Sequence, residues 1–341
     1  MKTIAFHNRY SKLDPILFSE PNAPIGDELL LPFNVLAKEA SRRGVECVTL
    51  DPDGVTPLLG EGEMLGIVFI DRPPEPIPLS MAGEIEGGRE LAWPPLYLIA
   101  FENPVILPEN WTNLGGFAKV FSWAKAETLD PARFVHLNYA SRFPSAPLEG
   151  PDFLDRKLCS AVWGNKSSPD PRSLYPLRRK MIETFSLHEG FDLFGPGWGL
   201  ERWATSPFLR TAWKGTIQPG LKRRILSRYR FSLAFENASF PGYVTEKLFD
   251  CLIAGTVPVY YGAPDVAEAL GVKGWSRLPL IDARKFSGPV EILRYLSKMP
   301  EREWRSYREA GWAWMNSSAA DPYRIETFCD TILDAILEEA S

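Results

Sequence analysis

The sequence predicts an α/β protein made of two doubly wound, Rossmann-like domains with a cleft between them. Short apolar runs rich in β-branched and aromatic residues alternate with segments of helical apolar spacing along the whole chain. This alternation is typical of parallel sheets covered by helices on both faces. The length of 341 residues is that of about two domains. Proline and glycine also crowd together near the middle of the chain, where two such domains would join.

The first half of the chain opens with a predicted strand at Thr3–His7. A helix is predicted over Asp27–Arg43, because apolar residues recur there at intervals of three and four. Val45–Leu50 is the second predicted strand. Four further strands are predicted in this half, at Leu65–Ile70, Tyr97–Phe101, Val120–Trp123 and Phe134–Leu137.

The second half repeats the same alternation and ends in a helix. That terminal helix is predicted to open at Asp321-Pro322, a pair suited to the start of a helix. Its apolar stripe is expected to pack in a core, and the N-terminal domain is one surface on which it could do so. The strands of this half are predicted at Leu158–Trp163, Phe191–Phe194, Phe231–Phe235 and Val257–Tyr261.

The boundary between the domains is predicted within Phe143–Pro151, where three prolines and a glycine crowd into nine residues. The chain would then divide into an N-terminal domain, residues 1–150, and a C-terminal domain, residues 151–341. In open α/β sheets, ligands bind beyond the carboxyl ends of the strands. The cleft between the domains is therefore the expected site.

Composition argues against several classes of protein. Hydrophobic residues make up 45% and charged residues 24% of the chain, ordinary values for a globular protein rather than a disordered one. The net charge of −5 argues against a chain-wide cationic surface that binds nucleic acid.

The apolar runs and the cysteines bear on the compartment. No apolar run approaches the ~20 residues that cross a bilayer, and the N-terminus offers no signal-peptide core. The four cysteines lie far apart, as is typical of free thiols in a reducing compartment. A soluble cytoplasmic protein is expected, with a peripheral position at the inner face of the membrane as the alternative. The oligomeric state stays open.

The segment Phe231–Pro264 combines a predicted strand, a polar loop and a helix that is predicted over Tyr243–Ala254. A helix N-terminus binds phosphate through its free N–H groups and its partial positive charge. The alternative from composition alone is a helix with a solvated Glu-Lys face.

Four side chains in this segment would complete a pocket for a pyrophosphate and a sugar. Tyr243 and Lys247 stand four residues apart, so they would share one side of the predicted helix. The Asn237 amide would join them at the diphosphate, and Glu246 could accept hydrogen bonds from a ribose diol.

The string AFENASFPGYVTEKLFDCLIAGTVPVYYGAP closely resembles the donor-binding signature of glycosyltransferase family 10, the α-1,3/1,4-fucosyltransferases. This resemblance implies a GT-B fold and an inverting transfer of L-fucose from GDP-β-L-fucose. The C-terminal domain would bind GDP-fucose. Carried over onto matching positions, the donor-binding residues would be Asn237, Tyr243, Glu246 and Lys247.

The resemblance also implies an acceptor, which the N-terminal domain would bind. An oligosaccharide or lipopolysaccharide-type glycan is expected, with an α-1,3 linkage to a GlcNAc- or Glc-containing saccharide, although acceptor identity and linkage stay open. The chain shows neither the membrane anchor and stem of animal Golgi members nor the heptad repeats of some bacterial members. A bacterial-type cytoplasmic enzyme is therefore expected.

A weaker resemblance covers AVWGNKSSPDPRSLYPLRRKMIETF followed by FDLFGPGW, which look like the opening of the family's donor domain. The family places a phosphate-binding arginine near the start of the helix in this stretch. Spacing favours Arg178, with Arg179 and Arg172 as rivals. A guanidinium suits this task because its fork can bridge two phosphate oxygens and it stays charged. The alternative is an exposed helix arginine.

Inverting transfer needs a carboxylate that takes the proton of the acceptor hydroxyl. The predicted strand Tyr97–Phe101 ends at Glu102-Asn103-Pro104, and the family has a similar Glu-Asn step at the end of such a strand. Glu102 is therefore the predicted base. Glu109 also precedes an asparagine but follows no strand, so it ranks below Glu102. The alternative is a strand-end glutamate that faces solvent.

No catalytic metal and no cofactor are expected, GDP-fucose being a substrate. The string Asp51-Pro52-Asp53 is interpreted as a surface turn. Lys247, Arg178 and the helix N-terminus would stabilise the charge on departing GDP. Two other hypotheses stay open: a GT-B transferase with another sugar nucleotide, and a non-catalytic protein that binds nucleotide sugars.

Overall fold

A computed structural model describes residues 1–23, 26–50, 63–73, 94–125, 130–145, 148–199, 207–272 and 278–339. The chain forms two compact units. Unit 1 comprises Met1–Pro21, Leu30–Asn138 and Ile325–Ser341, and unit 2 comprises Asn22–Leu29 and Tyr139–Arg324. The predicted domain ranges 1–150 and 151–341 stay a prediction. The units are defined by packing, whereas the predicted domains were defined by the ligand that each would bind.

Unit 1 is built on a parallel sheet of six strands in the order β2-β1-β3-β4-β5-β6. Its central strands are largely buried, β4 along its whole length and β3 over its last six residues, which explains why they are near-continuous apolar runs. Every strand predicted for this half is present. The strands are β1 (Lys2–Asn8), β2 (Val45–Thr49), β3 (Glu63–Ile70), β4 (Leu96–Ala100), β5 (Lys119–Ser122) and β6 (Phe134–His136).

Two helices of unit 1 pack on one another, α1 (Leu31–Arg42) and α9 (Ile325–Glu339). Phe328 of α9 lies 5.5 Å from Phe33 of α1, ring centre to ring centre, and stacks on Phe101 at 6.4 Å. Both predicted helix starts are wrong. The first helix begins at Leu31 rather than Asp27, with Pro32 in its first turn. The terminal helix begins after a separate 3-10 helix, Ser318–Tyr323, that contains the predicted Asp321-Pro322 start.

Unit 2 is built on a second parallel sheet, in the order β11-β10-β9-β7-β8. Strand β11 was not predicted, because its two residues are too few to show an apolar pattern. Since β7 has β8 on one side and β9 on the other, the strand order reverses at β7. The strands are β7 (Lys157–Val162), β8 (Phe191–Phe194), β9 (Tyr229–Phe235), β10 (Val257–Tyr261) and β11 (Ile281–Asp282).

The helices of unit 2 cover this sheet through apolar faces. Between α5 and α8, Phe249 stacks on Trp314 at 5.8 Å with nearly parallel rings. The part of the chain described here includes no helix long and apolar enough to cross a membrane. The helices are α2 (Tyr175–Phe185), α3 (Pro207–Ala212), α4 (Lys222–Leu226), α5 (Glu246–Ile253), α6 (Val266–Ala269), α7 (Pro289–Lys298) and α8 (Glu301–Met315).

Candidate functional site

The candidate site lies in unit 2, where the chain leaves the carboxyl ends of β7 and β9. These two strands are neighbours at the point where the strand order reverses. Ligands of open α/β sheets bind at such a point. The polar residues predicted from the FEN and YVTEK strings follow β9 directly, so the topology places them at this edge of the sheet.

Glu236, the first residue after β9, is the buried centre of the site. Its side chain is completely inaccessible to solvent. One carboxylate oxygen accepts the Thr245 N–H at 2.9 Å, and the other accepts the Thr245 hydroxyl at 2.7 Å and lies 3.3 Å from the Lys247 ammonium. Burial raises the pKa of the Glu236 carboxyl. A Cβ at Gly262 would lie 2.4 Å from Glu236 Cγ, so only glycine fits beside this carboxylate.

Thr245 is the N-cap of α5, which begins at Glu246. The prediction that this helix begins at Tyr243 is wrong, because the buried Glu236 carboxylate holds Thr245 in an extended conformation instead. Tyr243 lies in the preceding loop and does not share a helix face with Lys247. The N–H groups of Thr245 and Lys247 are engaged by Glu236 and the Thr245 hydroxyl. These two N–H groups therefore already have acceptors within the protein.

Lys247 places its ammonium among three oxygen acceptors. The Nζ atom lies 3.0 Å from Thr245 Oγ1, 3.2 Å from Glu246 Oε1 and 3.3 Å from Glu236 Oε2. Burial alone would lower the pKa of Lys247, but the carboxylates of Glu246 and Glu236 raise it. Burial likewise opposes ionisation of Glu246, but Lys247 and Lys222 lower the pKa of its carboxyl to about 2. Both side chains are therefore charged at neutral pH.

Arg178, on α2, brings a second cation to this corner. The residue is 95% buried, and its guanidinium lies over the rings of Trp163 and Tyr175 at 5.1 and 5.3 Å and donates to the Phe235 carbonyl. Its Nε has no hydrogen-bond partner within the described ranges. Burial lowers the pKa of Arg178, while nearby Glu236 and other acidic groups oppose that shift. A buried guanidinium with a spare donor is suited to an anionic ligand.

The other predicted donor residues are placed differently. The Arg179 guanidinium donates to the Lys166 carbonyl at 2.8 Å. Arg172 is exposed and forms a two-pronged pair with Asp170, at 3.0 and 2.7 Å. Asn237 follows Glu236 directly, is partly exposed, and accepts the Leu174 N–H through its backbone carbonyl at 2.9 Å. The structure thus brings Lys247 to Glu246 and Glu236, and Arg178 to the carbonyl of the neighbouring Phe235. The binding roles of the six predicted donor residues stay predictions.

Beneath the site, a buried ion-pair network holds α4 and α5 together. The Asp250 side chain on α5 is 1% exposed, forms an ion pair with the Lys222 ammonium at 2.8 Å and accepts a hydrogen bond from Arg223 Nε at 2.8 Å. Asp27 caps α4 by accepting the backbone N–H groups of Lys222 and Arg223 at 3.0 and 2.8 Å. The basic residues before β9 are therefore partly structural.

Glu102, the predicted base, lies in unit 1, two residues after β4. Its side chain is partly exposed, and its backbone N–H donates to Asp71 Oδ1 at 3.1 Å. Sequence reasoning missed Asp71, although a carboxylate directly after the apolar strand β3 was a signal of the same kind. Glu109 is exposed on a short 3-10 helix, Pro108–Trp111.

A second titratable pair of unit 1 lies at the end of β1, where His7 belongs to the strand and Asp14 to the following 3-10 helix, Ser11–Ile16. Asp14 is buried, and one of its oxygens accepts the Asn8 N–H at 2.9 Å. Its other oxygen lies 4.0 Å from His7 Nδ1 and has no hydrogen-bond partner among the described residues. Burial raises the pKa of Asp14 to about 6, and burial lowers the pKa of His7.

The described ranges also show how the potential metal and disulfide ligands are placed. No three His, Cys, Asp or Glu side chains come together there as a metal site. The Asp51-Pro52-Asp53 string lies outside those ranges, and metal independence stays a prediction. Cys47, Cys159, Cys251 and Cys329 are free thiols, the last three buried.

Comparison with known proteins places these residues in a family context. The model of the family described as glycosyltransferase family 10 (fucosyltransferase), C-terminal part, matches residues 163–334, half of the chain. A GDP-fucose protein O-fucosyltransferase 3 of Bos taurus is 42% identical over 88 residues, 25% of this chain and 18% of that relative. The α-(1,3)-fucosyltransferase FucT of Helicobacter pylori is 37% identical over 75 residues, 22% of this chain and 15% of that relative. The chain thus matches less than a fifth of these curated relatives.

Solved structures match over nearly the whole chain. A crystal structure of an α1,3-fucosyltransferase with GDP has a TM-score of 0.56 and 14% identity, over 98% of this chain and 90% of that chain. A T4 phage β-glucosyltransferase has a TM-score of 0.53 and 10% identity, over 98% of this chain and 99% of that chain. At these identities the likeness shows the fold alone. The predicted GT-B fold is confirmed.

Proposed function

Since the chain belongs to glycosyltransferase family 10, we propose that it is a fucosyltransferase with GDP-β-L-fucose as its donor. One observation carries this proposal: two cations, the buried Arg178 and the partly buried Lys247, meet at the end of β9, where Arg178 donates to the Phe235 carbonyl and the Lys247 ammonium lies 3.3 Å from the Glu236 carboxylate. Paired cations in a site sheltered from water suit a diphosphate. The solved α1,3-fucosyltransferase with GDP-fucose supports the choice of donor.

The proposed donor complex is held by polar side chains of the site. Lys247 and the spare Nε of Arg178 bind the diphosphate, and the Tyr243 hydroxyl and the Asn237 amide assist them. Because Lys247 already contacts three protein oxygens, the diphosphate must take the place of at least one. Glu246, the most exposed of these partners, is the one that gives way, which frees its carboxylate for a diol of the donor.

The proposed reaction is a single displacement with inversion at C1 of fucose. The acceptor oxygen forms a bond to C1 while the bond from C1 to the β-phosphate oxygen breaks. The acceptor proton passes to the Glu102 carboxylate, and the electron pair of the broken bond leaves with GDP. Arg178 and Lys247 stabilise the charge that develops on GDP, so the step as written needs no metal.

The acceptor is proposed to be a hydroxyl of an oligosaccharide or lipopolysaccharide-type glycan, in α-1,3 linkage to a GlcNAc- or Glc-containing saccharide. The similarity to the Bos taurus protein O-fucosyltransferase favours a second candidate, a hydroxyl of a protein side chain. The cytoplasmic, bacterial-type assignment stays a prediction.

The test is transfer of labelled fucose to a glycan array and to a panel of folded protein acceptors, with GDP-mannose and UDP-glucose as alternative donors and EDTA present in one arm. Fucose transfer from GDP-fucose that survives EDTA is expected. Glu102→Gln should keep GDP binding and lose at least about 100-fold of turnover, since a general base contributes that much or more. Glu109→Gln, an exposed glutamate of the same unit, should match the wild type. Transfer only from another nucleotide sugar, or near-normal turnover of Glu102→Gln, would overturn the proposal.

A further inference from the structure

We propose that Asp71 is a positioning residue that fixes the backbone of Glu102, the base in the proposed function on which this inference rests. Asp71 follows β3 directly, on the strand that pairs with β4. Because parallel neighbours end at the same edge of a sheet, Asp71 meets the loop that carries Glu102.

The Asp71 carboxylate accepts three N–H donors on one oxygen. Oδ1 lies 2.9 Å from the Phe101 nitrogen, 3.1 Å from the Glu102 nitrogen and 2.6 Å from Asn110 Nδ2. Asp71 is 4% exposed, so these contacts are largely shielded from water. A buried carboxylate with three such donors is held strongly in place.

The backbone at Asp71 is itself in a conformation that non-glycine residues seldom adopt. Its φ is +54°, in the left-handed region, and its N–H donates to the Ile99 carbonyl at 2.9 Å. Such a conformation persists where surrounding contacts impose it, and it is enriched at functional sites. Here it turns the carboxylate toward the amides of Phe101 and Glu102.

The carbonyl groups of the same two residues are also held by side chains. The indole N–H of Trp111 donates to the Glu102 carbonyl at 3.0 Å, and that of Trp123 donates to the Phe101 carbonyl at 2.8 Å. Both N–H groups and both carbonyls of the Phe101–Glu102 step are thus fixed from outside the loop. The backbone that carries the Glu102 carboxylate is therefore held in place, which is the preorganisation that a general base needs.

The test separates turnover from donor binding in purified full-length variants. Asp71→Gly deletes the carboxylate, and glycine adopts a positive φ without strain. Its kcat should fall by about 30- to 100-fold, in line with the effect of misplacing a catalytic group by about 1 Å. The donor KM and the GDP dissociation constant should stay within about twofold of the wild type. Asp71→Asn keeps an oxygen acceptor and tolerates this backbone conformation, so it should recover most of the lost kcat.

Two further variants complete the design. Asn113→Gly changes an exposed residue of the same unit with a similar φ, +52°, and should match the wild type. Trp111→Phe removes one N–H donor to the Glu102 carbonyl and keeps an aromatic ring, so kcat should fall several-fold with GDP binding unchanged. If Asp71→Gly does not fold, the kcat of Trp111→Phe is the measurement that tests the inference.

Four outcomes would overturn the inference. Asp71→Gly could keep its kcat, could lose GDP binding in step with kcat, or could be no slower than Asp71→Asn. In each case the inference falls alone, provided that Glu102→Gln is inactive. Full turnover of Glu102→Gln would remove the base assignment and this inference together.

Discussion

Replacing Lys247 with methionine should separate two roles of its ammonium group, ligand binding and charge balance. Methionine keeps most of the length of the stem and removes the positive charge. The ammonium lies 3.3 Å from the fully buried Glu236 carboxylate and 3.0 Å from the Thr245 hydroxyl. The substitution therefore deletes a proposed diphosphate contact and leaves a buried carboxylate without its cation.

Each role has its own magnitude. A hydrogen bond that involves a charged group contributes about 1.5–3 kcal/mol, so GDP should bind about 10- to 150-fold more weakly. Removing one partner of a buried ion pair costs about 3–5 kcal/mol of folding stability. Thr245 still donates two hydrogen bonds to Glu236 in the variant, which places the expected loss near the lower value.

The double variant Lys247→Met/Glu236→Gln tells the two roles apart. With the carboxylate neutralised, most of the lost stability should return, while GDP affinity should stay low. GDP binding is measured by calorimetry and stability by urea unfolding. Lys285→Met, which removes an exposed lysine of the same unit, serves as the control. Wild-type GDP affinity in the single variant, or recovery of GDP affinity in the double variant, would refute the reasoning.

Two further predictions concern stability. Asp250→Ala leaves the buried Lys222 ammonium without its partner at 2.8 Å, so the free energy of unfolding in urea should fall by about 3–5 kcal/mol. Asp155→Ala, which removes an exposed carboxylate, should change it little. An equal loss of stability in both variants would contradict this prediction. The pKa of Asp14 is raised from 3.8 to about 6 in the folded state, because the folded protein favours the protonated carboxyl group. The contribution of this group to folding stability is therefore complete below about pH 4 and is lost as the pH rises through 6. Asp14→Asn should therefore be more stable than the wild type at pH 7.5, by about 1–2 kcal/mol after allowance for solvent screening. This gain in stability should disappear near pH 4. A gain of the same size at both pH values would point to a cause other than titration of Asp14.

The strands were the most predictable part of this fold. Every strand predicted is present, with ends within two residues of the predicted bounds, because parallel strands buried on both faces must be apolar along their length. The same logic placed Glu102 correctly at the end of β4. Only β11, two residues long, was missed among the described strands.

The starts of helices were less predictable, because long-range hydrogen bonds decide them. The pattern alone would continue α5 back to Tyr243, but Glu236 captures the Thr245 amide and hydroxyl nine residues along the chain and starts the helix there. Asp27 leaves the predicted first helix for a similar reason, since it caps α4. Local spacing carries no information about such partners.

The surroundings of the predicted arginines could not be predicted from the sequence either. Arg178 and Arg179 are adjacent, so their side chains leave α2 in different directions. One is buried against Trp163, and the other reaches the Lys166 carbonyl. Asp71, like Glu102, follows an apolar strand, but its contact with the Glu102 loop depends on the pairing of β3 with β4 and on an unusual backbone angle, and the spacing of residues along one strand indicates neither.

The packing of α9 on α1 has a consequence for how the protein is synthesised. β1 to β6 leave the ribosome before Tyr139–Arg324 is made, whereas α9 emerges only after it. Throughout that interval the aromatic surface formed by Phe33 and Phe101 has no Phe328 to cover it. The nascent chain therefore displays an apolar patch of the kind that chaperones recognise, and the helix layer over the first sheet is completed late in translation.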